Sequence, residues 1–296
     1  MLDLRFLAVA VCAAGCIGSE LDLDVASQAL AHDNGVGLNG VRLNGVRLNG
    51  VSLNGVRLNG VRLNGVRLNG VRLDGSTLTA TEAGGPVPDG ELVGSQWPGE
   101  LSDGTELSVR LDAIDRGTGD HADVTIYHVS YPTAAGWVDP CDGAGALAVG
   151  GTWSYEQGTP QGGSYRPNAS AFTLACRGFA IAKCVELGYK PWLERAAHLA
   201  ACTRALRADF CGDGTTYTVD GTTINLHDRD GVQLDEAAWP LEARWSANGA
   251  TCIDESEATR FFQVAAAIPP CADTLPTCRA GWQGGLVTTE LPPLGD

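Results

Sequence analysis

The sequence predicts an α+β protein, in which a β-rich, disulfide-stapled domain with two central helices follows a repetitive N-terminal segment. Apolar and polar residues alternate through residues 107–111 and 124–129, as in strands with one buried face. Cys176, Ala180 and Cys184 recur every four residues, which is the spacing of one helix face. An even set of eight cysteines downstream of residue 16 supplies the predicted staples.

Residues 1–15 predict a signal peptide. The apolar run 6–15 has the length of a signal-peptide core and is too short to span a bilayer. Residues 13–16, Ala-Ala-Gly-Cys, resemble a bacterial lipobox, with Ala where Leu is commoner at the first position. The resemblance implies cleavage before Cys16 and lipidation of its thiol. The alternative is an ordinary cleaved signal, with Cys16 lost or free. Residues 16–35 then form an acidic tether.

Nine pentapeptides occupy residues 36–80, with Leu at the centre of each. A period of five is neither a helix face nor a simple strand. The pattern resembles pentapeptide-repeat proteins, which implies a short right-handed quadrilateral β-helix with Val and Leu inward and four pentapeptides per coil. Nine units make little more than two such coils, whereas solenoids usually need about three stacked repeats. We therefore expect the segment to lean on the next domain or to stay partly flexible, and a disordered spacer is the alternative.

Charge is divided unevenly along the chain. The net charge is −15, and an acidic chain is repelled by the phosphate backbone, so nucleic acid is not an expected partner. Six arginines against one aspartate give residues 36–75 a charge of +5, which leaves −20 for the remainder. This basic collar suggests docking onto the acidic body or attraction to an anionic envelope surface, and simple solubility of the repeat is the competing interpretation.

Residues 81–90, rich in Gly and Pro, predict a linker, and residues 91–296 the C-terminal domain with a Cys-rich tail. Strands are expected before residue 165 and again at 216–219, 223–226 and 241–245, with turns at Asp220-Gly221 and Asn248-Gly249. Between them, one helix includes Cys176 and Cys184 and ends before Gly188. A second runs from about 193 to 208, with Cys202 facing the first.

Three blocks of the domain resemble the ADYC domain, a secreted module of myxobacterial proteins. They are CRGFAIAKCVELGYKPW at 176–192, HLAACTRALRADFCGDG at 198–214 and LEARWSANGATC at 241–252. Phe210 stands in the place of the usual Tyr, which keeps the ring and loses a hydroxyl. The resemblance covers about residues 90–282. It implies secretion and names no reaction.

The cysteines after Cys16 are expected to form four disulfides, because an exported chain meets an oxidising compartment. A thiolate metal site is the alternative, but no pair has the Cys-x2-Cys spacing of a zinc knuckle. The sequence leaves the pairing open. The eight residues are Cys141, Cys176, Cys184, Cys202, Cys211, Cys252, Cys271 and Cys278.

Five aspartates between residues 209 and 230 are the main candidates for a site. Residues 228–231, Asp-Arg-Asp-Gly, resemble part of a calcium loop, so Asp228 and Asp230 are the candidate metal ligands. Asp-Gly also marks ordinary turns, which is the competing interpretation. The full cluster is Asp209, Asp213, Asp220, Asp228 and Asp230.

Histidines and tryptophans offer weaker candidates. His198 and Cys202 are one helical turn apart, as a base and a nucleophile can be, but a disulfide-bonded Cys202 could not serve. His227 could act as a base oriented by an aspartate, yet the chain has no Gly-x-Ser-x-Gly, His-Glu-x-x-His or phosphate-loop motif. Trp137 and Trp153 could line a sugar platform or simply pack strands.

These features predict an exported, lipid-anchored protein of the cell envelope, either at the outer membrane or extracellular, that acts as a non-catalytic binding or structural module. The expected partners are the membrane, through the lipid, and an envelope protein or polysaccharide. No cofactor is expected, with calcium as the alternative. Two other classes stay open: an envelope hydrolase or carbohydrate-binding enzyme that uses the acidic cluster, and a calcium-dependent adhesion module.

Overall fold

The computed structural model describes residues 71–82, 85–87, 89–100, 106–154, 156–168, 171–219, 221–235, 239–254, 259–263 and 267–293, together with five short strands between residues 42 and 67. Within these residues the protein is β-rich and has four helices. The predicted signal peptide, Cys16 and the acidic tether lie outside the described residues.

The helices are α1 (Asp89–Leu92), α2 (Ala180–Glu186), α3 (Ala196–Arg207) and α4 (Arg260–Gln263). The strands up to the end of the repeat are β1 (Arg42–Leu43), β2 (Val46–Arg47), β3 (Ser52–Asn54), β4 (Arg62–Leu63), β5 (Val66–Arg67), β6 (Val71–Asp74), β7 (Thr77–Glu82) and β8 (Gly85–Val87). The later strands are β9 (Gln96–Glu100), β10 (Glu106–Arg116), β11 (Thr125–Thr133), β12 (Gly136–Val138), β13 (Ala146–Gly150), β14 (Thr152–Trp153), β15 (Tyr165–Arg166), β16 (Ala171–Cys176), β17 (Asn225–Asp228), β18 (Leu241–Ser246), β19 (Gly249–Ile253) and β20 (Val287–Glu290).

The larger sheet is antiparallel and runs in the order β3-β16-β13-β11-β10-β9, with β12 paired to β11. Its central strand β13 is buried on both faces. Ala146 and Ala148 belong to a core shared with the β6–β7 hairpin and α1, whereas Leu147 and Val149 belong to a core shared with α2 and α3. The strands predicted at residues 107–111 and 124–129 are confirmed by β10 and, from Thr125 onward, by β11. Residues 125–127 of β11 are all buried, so the single buried face predicted from the alternation is wrong for that segment.

The smaller sheet is also antiparallel and has the order β17-β20-β18-β19. Its strand β20 comes from the C-terminal tail and lies between β17 and β18, so the tail completes the sheet. The predicted strand 241–245 and the Asn248-Gly249 turn are confirmed by β18 and β19. Residues 216–219, predicted as a strand, form none, and the strand predicted at 223–226 begins instead at Asn225.

One helix prediction is wrong at its start. Cys176 ends strand β16, and α2 begins only at Ala180. Gly178 has a φ of +86°, in the left-handed region, so the chain turns between the two elements. Cys176 and Cys184 therefore bond to different partners. The second predicted helix is confirmed as α3.

All eight predicted cysteines form disulfides within the described residues. Cys184 and Cys202 join α2 to α3, as the expected packing of the two helices required. Two bonds attach the C-terminal tail, one to the loop after α3 and one to β19. The four pairs are Cys141–Cys176, Cys184–Cys202, Cys211–Cys271 and Cys252–Cys278.

The last two pentapeptides form an antiparallel hairpin, β6–β7, in which Leu73 faces Leu78. A β-helix places consecutive pentapeptides around a coil, so the predicted coil does not extend to residues 71–80. Most earlier repeats lie outside the described residues, and for them the β-helix stays a prediction. The predicted linker 81–90 contains β8 and the start of α1, whose Leu92 is fully buried.

Hydrogen bonds attach this hairpin to the start of β11. Ser76 Oγ donates to the Asp123 carbonyl oxygen over 3.1 Å and accepts from the Thr125 N–H over 2.9 Å. The Tyr127 hydroxyl accepts from the Leu78 N–H over 2.7 Å and donates to the Ser76 carbonyl oxygen over 3.1 Å. The side chains of Leu78 and Ala80 in this hairpin are buried. The end of the repeat is thus part of the domain.

No helix among the described residues has the length and apolar character needed to cross a membrane.

The Tyr127 hydroxyl is predicted to stabilise the attached hairpin. Tyr127→Phe removes the partner of the Leu78 N–H and of the Ser76 carbonyl, and we expect the free energy of unfolding to fall by about 1–3 kcal/mol. Urea denaturation of the disulfide-intact chain measures this. Tyr131→Phe, on the same strand and partly buried, is the matched control, with an expected change within about 0.5 kcal/mol. Equal effects of the two changes would contradict the role of the Tyr127 hydroxyl.

Candidate functional site

Asp220 of the predicted acidic cluster lies outside the described residues. The other four aspartates lie in two places, and the first is the loop after α3. Asp209 is fully buried there against Arg204, which is 2% exposed. One Asp209 oxygen accepts hydrogen bonds from Arg204 Nη1 and the Gly214 N–H, and the other accepts from the Asp213 N–H over 3.1 Å. Burial raises the pKa of Asp209, while the charges of Arg204 and Arg207 act in the opposite direction. This carboxylate closes loop 209–214 and is withdrawn from solvent.

Each guanidinium nitrogen of Arg204 donates a hydrogen bond to another part of the protein. Its Nε donates to the Ala247 carbonyl over 2.9 Å, and its Nη1 donates to the Gly162 carbonyl over 2.9 Å. Its Nη2 donates to Ser164 Oγ over 3.2 Å. The guanidinium therefore joins α3 to two loops from distant parts of the chain, which is a structural function.

The four residues 208–211, Ala-Asp-Phe-Cys, each have a structural task at this junction. Ala208 ends α3 in the left-handed conformation, with a φ of +51°. Asp209 closes the following loop, and Cys211 is bonded to Cys271. Phe210 is 1% exposed and packs against three aromatic rings. These rings belong to Tyr217, Trp245 and Phe261.

The second place is the turn after β17, which holds the predicted metal ligands Asp228 and Asp230. Oδ1 of Asp228 accepts from the N–H groups of Asp230 and Val232, over 2.8 and 3.2 Å. Oδ2 of Asp228 accepts from the Gln233 N–H over 2.6 Å and from the Tyr189 hydroxyl over 2.9 Å. Both oxygens that a calcium ion would need thus already face N–H or O–H donors. Calcium at these two residues stays a prediction.

The Asp230 side chain is half exposed. Its Oδ2 lies 3.2 Å from Nε2 of His198, whose ring stacks on Tyr189 with a centroid distance of 5.9 Å. Burial, together with the charge and hydrogen bond of Asp228, raises the pKa of Tyr189 well above its usual range. Tyr189 is therefore a neutral hydrogen-bond donor. Cys202, the predicted companion of His198, is bonded to Cys184 and has no thiol.

His227, the other candidate base, lies on the opposite face of β17 from Asp228. Its Nδ1 is 3.9 Å from Oδ1 of Asp235, which exceeds hydrogen-bond length. Glu290 on β20 completes the group, and the three ligand-type atoms lie within 4.8 Å of one another. The aspartate that faces the His227 ring, Asp235, thus comes from outside the predicted cluster. Asp235 and Glu290 were not predicted from the sequence.

The two candidate tryptophans have different environments. Trp153 is 5% exposed and packs against Tyr165, with ring centroids 4.9 Å apart. Trp137 on β12 is 37% exposed, and the Arg110 guanidinium lies 4.3 Å from its ring centroid. Only Trp137 therefore offers a ring to a ligand, and Trp153 is a core residue.

A second buried ion pair was also missed by sequence reasoning. Arg260 on α4 and Glu242 on β18 are both fully buried, and Arg260 Nε donates to Oε1 of Glu242 over 2.8 Å. Thr289 donates to Oε2 of Glu242 over 2.7 Å and accepts from the Trp245 indole N–H over 2.8 Å. The two residues are 18 positions apart in the sequence, and no local sequence pattern predicts such a contact.

These features define a disulfide-bonded α+β domain in which two antiparallel sheets pack around a pair of helices. The model of the ADYC domain family matches residues 89–259, which is more than half of the chain. The chain therefore belongs to the ADYC domain family. The pentapeptide-repeat model matches eight copies at residues 38–79. No curated protein and no solved structure matches the chain.

The buried Asp209 carboxylate is predicted to stabilise the domain. Asp209→Asn leaves Arg204 without its ionic partner, and breaking a buried pair costs about 3–5 kcal/mol of unfolding free energy. Asp213→Asn is the matched control, because Asp213 lies in the same loop but is only partly buried. We expect the control to cost less than about 1 kcal/mol. Urea denaturation distinguishes the two. An Asp209→Asn chain as stable as the control would show that the pair contributes little.

Proposed function

We propose that the chain is an exported, lipid-anchored cell-envelope protein whose ADYC domain acts as a non-catalytic binding or structural module. The observation that carries the proposal is the set of four disulfides, which use all eight cysteines after Cys16. Disulfides form and persist in oxidising compartments outside the cytoplasm. A myxobacterial origin is part of the proposal and rests on the resemblance of the ADYC blocks.

The lipid anchor rests on the sequence Ala-Ala-Gly-Cys at residues 13–16. A diacylated Cys16 would hold the mature chain at a membrane surface, because two acyl chains give stable anchoring where one gives only marginal binding. The acidic tether would separate the domain from this surface. The arginines of the repeat carry the opposite charge to anionic lipid and to the acidic domain.

The non-catalytic part is supported by how the candidate catalytic groups are used. Asp209 and Asp228 accept hydrogen bonds from backbone N–H groups of the loops that they close. Cys202 is oxidised, and the pKa of Tyr189 is raised well beyond the range of a useful acid or base. These groups therefore hold loops and helices of the domain in place, and its surface remains available for binding. The proposed partner is an envelope protein or polysaccharide.

Cys16 is predicted to anchor the protein. Wild-type chain expressed in a bacterium is expected in the membrane fraction, and Cys16→Ser is expected to move it to the soluble fraction, since serine cannot be diacylated through a thiol. Cys12→Ser, inside the predicted signal peptide, is the matched control and should leave the chain in the membrane fraction. Wild-type chain found only in the soluble fraction would contradict lipidation.

The oxidised state is predicted to appear in the intact mass. Non-reduced mature chain should be about 8 Da lighter than reduced chain, since each of four disulfides lacks two hydrogens. Free thiols in freshly purified protein would overturn export to an oxidising compartment.

The binding module is predicted to cosediment with isolated cell-envelope material without cutting it. The assay combines sedimentation with a count of reducing ends and free amines released into the supernatant. Release above that of a boiled sample would contradict the non-catalytic proposal and favour an envelope hydrolase. Asp230→Asn, which changes an exposed member of the acidic cluster, then tests whether that cluster is responsible.

A further inference from the structure

His227, Asp235 and Glu290 form a compact group at one edge of the smaller sheet. Asn225 and His227 lie on the same face of β17, because they are two residues apart. Asn225 is paired with Glu290 across the antiparallel ladder, which puts Glu290 on that face too. Asp235 follows from the loop after β17. The sheet register therefore brings together one imidazole and one carboxylate, and the loop adds a second carboxylate.

Two carboxylates are held close together at this place. The Asn225 Nδ2 group donates to Oδ1 of Asp235 over 3.1 Å and to Oε2 of Glu290 over 2.9 Å. A neutral amide thus holds two carboxylates next to each other, and like charges at such a distance destabilise one another. Glu290 is only 7% exposed, so water screens this repulsion poorly. A cation between the carboxylates would remove it.

Two buried polar atoms at the same place have no hydrogen-bond partner among the described residues. They are Nδ1 of His227 and Oδ1 of Asn225. Asn225 is 1% exposed, and the His227 side chain is 15% exposed. Buried polar groups are nearly always paired, so an orphaned imidazole nitrogen beside two carboxylates indicates a missing partner. An electron-pair acceptor satisfies the nitrogen and both carboxylates at once.

We propose that Nδ1 of His227 and the carboxylates of Asp235 and Glu290 bind a divalent transition-metal ion of the zinc type. Zinc accepts imidazole nitrogen and carboxylate oxygen together, and a site with three protein ligands leaves a fourth position for water or an anionic group of a partner. Asn225 is the positioning residue, because it holds both carboxylates by hydrogen bonds. The site lies on the other face of β17 from Asp228.

The distances require a small contraction. Ligand atoms of a tetrahedral zinc site, with bonds of about 2.0–2.1 Å, are about 3.3 Å apart. The three atoms here lie within 4.8 Å, so movements of about 1 Å complete the site. Glu290 and His227 are fixed on paired strands, whereas the Asp235 side chain is 44% exposed on a loop. Asp235 is therefore the ligand that moves.

The test is a zinc titration of the full mature chain, purified in detergent without a polyhistidine tag and stripped with EDTA. Calorimetry is expected to show one equivalent of Zn²⁺ bound per chain. Loss of an outer-sphere partner already costs metal sites about 10–100-fold in affinity, so Asp235→Asn and His227→Ala should each weaken binding by at least about 100-fold. His128→Ala is the matched control, since His128 also lies beside an aspartate, with Nε2 2.9 Å from Asp115.

Asp235→Asn keeps the proposal testable if His227→Ala fails to fold, because Asp235 lies on an exposed loop. Co²⁺ added in place of Zn²⁺ should give visible absorption that disappears in the Asp235→Asn chain. Absence of stoichiometric zinc binding, or binding that survives Asp235→Asn, would overturn the site. Preference for Ca²⁺ over Zn²⁺ would also overturn it and favour the calcium prediction at Asp228 and Asp230.

Discussion

The buried C-terminal end of α3 is the constraint on which the domain depends. A helix leaves its last four carbonyl groups without partners inside the helix, and ten consecutive residues of α3, up to its last one, are withdrawn from water. Each of these carbonyls therefore needs a donor from elsewhere, and the protein supplies all four. The donors are the Asp209 N–H to Arg204, the Ala208 N–H and Arg260 Nη2 to Ala205, Arg260 Nη1 to Leu206, and the Tyr217 N–H to Arg207.

Capping the helix end with Arg260 places a positive charge in the core, and a buried charge needs a partner of opposite sign. Arg260 completes the helix end from α4, and Glu242 balances it from a bulge in β18. Thr289 of β20 then joins Glu242 to Trp245. The C-terminal tail thus helps, through Thr289, to hold the carboxylate that balances Arg260. Arginines at a helix C-terminus also interact favourably with the helix dipole. The sequence Ala-Asp-Phe-Cys at residues 208–211 turns the chain at this crowded point.

Sequence periodicity predicted the parts of this arrangement that are local. The alternation around Val109 and Val129 identified β10 and β11, and the Ala-rich segment identified α3. Cys176 was misassigned because a spacing of four residues also arises when a strand ends and a helix follows after a turn. Strand β20 has no alternation, since all four of its residues are buried. His227 and Glu290 are far apart in sequence, so only the sheet register brings them together.

The two faces of the smaller sheet have different roles, and strand β20 contributes residues to both of them. In β20, Thr289 faces α3 and the buried Glu242, whereas Glu290 faces Asn225. The inner face is fixed because it completes the helix end. The outer face is fixed with it, because neighbouring residues of one strand point to opposite sides. The hydrogen bonds on the inner face, from Arg260 through Glu242 to Thr289, therefore also fix the positions of Glu290 and His227, although neither residue takes part in them. Preorganised ligands of this kind bind an ion with little ordering cost, and only Asp235 has to adjust.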